Sequence, residues 1–91
     1  MDIQWHAKDP ESGDRRYYHA TRFAGVWSFK SRAHRRDDWT KSYKPTRAMW
    51  EHVLKALELR LPRREGVLDE DVAQVAKILA EIVRIEELRR G

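Results

Sequence analysis

Cysteine is absent from the 91-residue chain, which removes disulfides, thiolate nucleophiles and iron–sulfur clusters from consideration. Glycine and proline are scarce, at four and three residues, and neither a Gly-rich phosphate loop nor a low-complexity linker can be found. His-Glu-x-x-His and Gly-x-Ser-x-Gly are missing as well, so no catalytic residue, cofactor or metal ligand is assigned. A His34 pair with Asp37 or Asp38 could serve general acid–base chemistry, but nothing in the spacing singles it out. No apolar run is long enough to cross a bilayer, and Met1-Asp2-Ile3-Gln4 has neither the basic nor the apolar part of a secretion signal. The expectation is a soluble, cytoplasmic, non-membrane protein, more plausibly a binding module than an enzyme.

What is present divides sharply. Residues 1–50 hold 11 Lys/Arg against 6 Asp/Glu and all nine aromatic residues, while residues 51–91 hold 8 against 9. Such a chain has room for one small core, and the break near residue 50 marks a change of structural type inside a single domain spanning 1–91.

The first half, 1–44, reads as an antiparallel sheet. Ile3, Trp5 and Ala7 alternate with Gln4, His6 and Lys8, the period-two pattern of a strand with one buried face. Asp9 to Asp14 carries turn chemistry at nearly every position, including Pro10 and Glu11. Arg16 to Phe23 and Val26 to His34 are two further strand-like runs, joined by Ala24-Gly25 as a two-residue hairpin loop. That loop length sets Phe23 opposite Val26, Arg22 opposite Trp27, Ala20 opposite Phe29, His19 opposite Lys30 and Tyr17 opposite Arg32. Trp39 to Lys44, with Tyr43 inside it, is a candidate short fourth strand.

The second half reads as two helices, 46–61 and 69–90. Thr46 is a good N-cap after Pro45, Trp50, Val53, Leu54, Leu57 and Leu61 keep the helical period, and Pro62 ends it. Pro62 to Gly66, through Arg64 and Glu65, is a loop. Asp69 is a candidate cap for the second helix, with Glu70 and Asp71 favourably placed at its N-terminus and Arg89 and Arg90 at its C-terminus. Val72, Val75, Ala76, Leu79 and Val83 make one apolar stripe, and Val75, Ile78, Ile82 and Ile85 a second beside it. This is more apolar surface than a helix lying on one sheet face needs, so either both flanks are buried within the monomer, with helix one covering one of them, or part of this face meets another chain in a homodimer through helix two. The fold class is therefore α+β: a sheet of three strands, or four with the candidate strand, followed by two C-terminal helices packed on one face. The expected core is Ile3, Trp5, Tyr18, Trp27, Phe29, Trp50, Val53, Leu54, Leu57, Val72, Val75, Ala76, Leu79 and Val83.

The sharpest feature is Arg15 to Arg36, 22 residues with seven Lys/Arg and no acid. Alternation sends Trp27, Phe29 and Ala33 to one face of the third strand and Ser28, Lys30, Arg32 and His34 to the other. A face bearing Arg15, Tyr17, His19, Lys30, Arg32 and His34, extended by Arg35 and Arg36, suits DNA or RNA. Its cations neutralise phosphates, and its rings can stack on unpaired bases. The order of elements is similar to modules that lay a three-stranded sheet on duplex DNA, a likeness of order alone. The same composition also serves a plain solvated sheet face, whose cationic stems cover aromatic surface. His6, His19 and His34 share the solvent side, yet Lys8, Lys30 and Arg32 beside them oppose a divalent metal. Trp39, Tyr43 and Trp50 read first as core and lid packing and second as a partner-protein hot spot.

Overall fold

A computed structural model describes residues 1–9, 12–34, 36–42, 44–63 and 66–90. Pro10, Glu11, Arg35, Tyr43, Arg64 and Glu65, which entered the reading above, lie outside the described residues. The architecture is α+β, a four-stranded antiparallel sheet followed by two helices. Two compact units divide the chain at residue 44.

In the first unit β1 (Asp2–Lys8), β2 (Arg15–Phe23), β3 (Val26–Arg32) and β4 (Thr40–Ser42) lie side by side in chain order. The β2–β3 register is the one the two-residue loop dictates, from Tyr17 opposite Arg32 to Phe23 opposite Val26. The loop itself has positive φ at both central positions, 50° at Ala24 and 78° at Gly25. That geometry matches the right-handed twist of the flanking strands. Between β1 and β2, Asp9 N–H donates to Asp14 O at 2.7 Å and Gly13 N–H to Asp9 O at 2.8 Å.

Directly opposed residues of an antiparallel sheet share a face, so the register sorts every strand residue. One face carries Ile3, Trp5, Tyr18, Ala20, Trp27, Phe29 and Ser31. Ile3, Ala20 and Phe29 are essentially inaccessible, at 2%, 0% and 1%. Trp5, Tyr18 and Trp27 are half-buried, and Trp5 stacks on Tyr18 with centroids 5.2 Å apart. Ser31, next after Phe29 on this face, is buried and accepts a hydrogen bond from Arg16 at 3.2 Å. Ala33 and His34 lie beyond the end of β3 in an exposed bend, where Asp37 N–H donates to His34 O at 3.0 Å. Ala7, opposite Arg16 near the sheet's end, is exposed too.

In the second unit α1 (Arg47–Arg60) runs into a single 3-10 turn and α2 (Asp69–Arg90) follows. Thr46 caps α1 by accepting from Met49 N–H at 3.3 Å, and Thr46 N–H donates back to Met49 Sδ at 3.4 Å. A methionine thus stands where a capping box ordinarily has Glu or Gln. Asp69 is the first helical residue of α2 and does not cap it. The buried Asp71 does the work from one turn in, accepting from Leu68 N–H at 2.9 Å.

The two helices pack on one another. Arg47, at the start of α1, donates to Glu51 and to Glu86 near the end of α2, both at 2.8 Å, which fixes an antiparallel pairing. These two carboxylates hold its guanidinium charged even more firmly than usual. Met49, Trp50, Val53 and Leu57 are buried on α1, Val75 and Leu79 on α2, and Val67 ahead of it. Each large side chain taken from water here contributes about 1.5–3 kcal/mol. Leu54, Val72 and Val83 are half-buried, and Ala76 is exposed. The buried line of α2 runs between Val75 and Leu79, and Ala76 lies about 80° around the helix from it at 3.6 residues per turn. Ile85 and Leu88 are 40% and 68% exposed.

Candidate nucleic-acid interface

The other face of the sheet is built in cross-strand rows. Lys8 lies opposite Arg15, His6 opposite Tyr17, and Tyr17 opposite Arg32. The next row is Gln4, His19, Lys30 and Lys41, then Asp2, Thr21 and Ser28, and the last is the exposed apolar pair Phe23 and Val26. Neighbouring strands are about 4.8 Å apart, so each row holds its side chains within mutual reach. Five expected site residues, Arg15, Tyr17, His19, Lys30 and Arg32, therefore share one face. His34 and Arg36 follow it in the exposed turn after β3, and Arg35 lies outside the described residues. Two cations of the acid-free run, Arg16 and Arg22, sit on the opposite face.

Trp39 organises the middle of this face. The ring lies 5.6 Å from that of His19, and the Arg32 guanidinium carbon lies 4.2 Å from its centroid. Arg32 is consequently half-buried, where alternation alone would leave it wholly in water. Nη1 of Arg32 donates to Asp37 O at 3.4 Å, while its Nε is buried with no hydrogen-bond partner among the described residues. His19 Nε2 sits 3.2 Å from Asp2 Oδ1 and 3.4 Å from Thr21 Oγ1. His6 meets Tyr17 edge-on at 6.0 Å. Neither Arg15, Lys30 nor Arg32 forms an ion pair with a carboxylate among the described residues.

Two shallow cavities open here. The first, about 270 Å³, is lined by Gln4, Trp5, His6, Tyr17, Tyr18, Arg32 and Trp39. The second, about 300 Å³, shares Tyr17 and adds Asp14, Arg15, Ala33 and His34. Periodicity could find every member of the face except Trp39, which follows a turn and belongs to no strand. The candidate fourth strand starts at Trp39 in the sequence, but β4 begins at Thr40 and leaves the ring just ahead of it.

For other chemistry the arrangement offers little. No group of three or more His, Asp or Glu capable of holding a metal occurs among the described residues. The His19–Asp2 contact joins a ring to a carboxylate that is 64% exposed, outside both cavities. No helix among the described residues is long and apolar enough to cross a membrane. The chain matches no family of known proteins, no characterised protein sequence and no solved structure.

Proposed function

We propose that this chain is a nucleic-acid-binding module that engages DNA or RNA through the face carrying Arg15, Tyr17, His19, Lys30 and Arg32. His34, Arg35 and Arg36 extend the contact beyond β3. The observation that carries the proposal is the company these cations keep. Arg15, Lys30 and Arg32 occupy one surface without carboxylate partners among the described residues, beside the rings of Tyr17, His19 and Trp39. Phosphates take the cations and release counterions, while bases take the rings. The proposal includes a cytoplasmic location and assigns no catalytic step.

Titration of labelled DNA and RNA between about 50 and 200 mM salt tests it. Affinity should fall steeply as salt rises, and Lys30→Glu with Arg32→Glu should abolish binding while the far-ultraviolet dichroism stays native. Absence of binding at the lowest salt, or binding indifferent to salt, removes the proposal.

A second reading, self-association through α2, is favoured by the exposed Ile85 and Leu88 near its end. The Trp residues support it less, because Trp50 is only 8% exposed and Trp39 is engaged with His19 and Arg32. Light scattering across a concentration series decides: a monomer throughout ends this reading.

A further inference from the structure

We infer that the cavity walled by Tyr17, His6 and Trp39 over Arg32 takes one unpaired base, so that the ligand is a single strand rather than a duplex. This rests on the proposal that the sheet face binds nucleic acid and specifies which form of it.

The cavity volume of about 270 Å³ corresponds to roughly nine waters at ~30 Å³ each. That admits a one- or two-ring base and falls just short of the usual range for larger ligands. Five of the seven lining residues, Trp5, His6, Tyr17, Tyr18 and Trp39, are aromatic, and His6, Tyr17 and Trp39 among them supply a stacking platform that tolerates any base. The guanidinium of Arg32, already against the Trp39 ring at 4.2 Å, adds a cationic plane that can stack or donate to a base edge.

Trp39 also argues against a duplex. Its ring packs against His19 and Arg32, so a rigid double helix laid on the face finds both side chains already engaged by the indole. Paired bases within a duplex offer no free π-face to the cavity, whereas an unstacked base does. Because Tyr17 lines both cavities, the strand continues past it toward Arg15. Asp14 in that second cavity offsets part of the charge of Arg15, so the strongest phosphate contact falls to the exposed Lys30.

The test compares three labelled oligonucleotides of one length at one salt concentration by fluorescence anisotropy: a single strand, its duplex, and an abasic strand that keeps the phosphates. The single strand should bind about tenfold or more tighter than either of the others, as one or two lost stacking contacts require. Trp39→Ala and Tyr17→Ala should each weaken single-strand binding about 5- to 150-fold without altering the salt slope. On the abasic strand, Trp39→Ala should bind as the parent does. Equal or tighter binding of the duplex, or of the abasic strand, overturns the inference while the broader proposal stands. Failure to bind all three at low salt overturns both. Should the variants not fold, the three-ligand comparison on the parent protein decides alone.

Discussion

The guanidinium carbon of Arg32 lies 4.2 Å from the centroid of the Trp39 ring, across the turn that follows β3. One strand residue thereby anchors a ring that no strand holds. A cation over an indole face is worth about 0.5–2 kcal/mol depending on its exposure. Arg32→Ala should therefore lower stability by about 1 kcal/mol in urea and shift the Trp39 indole N–H resonance toward its free position. An unmoved resonance would show that the ring is held by something else. Lysine is a poor substitute here, since a compact ammonium lacks the planar contact.

The same hairpin presents two phenylalanines to opposite environments. Phe29 is 1% exposed and Phe23 is 83% exposed. Phe29→Ala should cost about 3–5 kcal/mol through lost transfer energy and a cavity. For Phe23→Ala the loss should be about 0.5 kcal/mol, the scale of its cross-strand pair with Val26. Thermal or urea unfolding of the two variants reads the face assignment directly, and comparable losses would contradict it.

Ala24 holds a φ of 50° in the hairpin loop, a conformation that costs a residue with a Cβ about 1–2 kcal/mol relative to glycine. Asn-Gly is the preferred pair for a turn with both φ positive. Ala24→Asn is expected to stabilise the protein by about 0.5–1 kcal/mol, because asparagine tolerates the left-handed region with less strain. A higher urea midpoint at unchanged slope is the measurement.

His52 on α1 provides the pH dependence. Burial, and secondarily the charge of Lys55, lower its pKa below the ordinary 6.5. The unfolded chain thus binds the proton more readily than the native one, and stability rises with pH wherever they differ. This contribution is fully present above pH 6.5 and is lost as pH falls through the depressed native value. His52→Gln should flatten that part of the profile below neutrality. Urea midpoints at pH 7.5 and about 5 for both proteins give the comparison; identical slopes would rule out His52 as the source.

Local chemistry made much of this fold legible. A two-residue loop leaves one register for a hairpin, so the opposition of Ala20 to Phe29 and of Tyr17 to Arg32 followed from counting. Helix limits followed from Thr46, Pro62 and the charge bias of α2. Contacts made by chain reversal were not legible. Alternation ran on to His34, but β3 stops at Arg32 where the backbone bends, and Ala33 is consequently exposed. Asp69 looked like a cap, yet Asp71 is the carboxylate that can reach back to Leu68 N–H. Trp39 over Arg32 could not be read from any period, since it depends on how a turn folds back across the sheet.

Alternation along β2 and β3 has an evolutionary consequence. Tyr17, His19, Lys30 and Arg32 interleave with Tyr18, Ala20, Phe29 and Ser31, one set outward and the other inward. Two texts are thus written on the same ribbon, one spelling adhesion of the fold and the other the surface it presents. Selection or design can redraft the outward text at every second letter while leaving the inward one untouched.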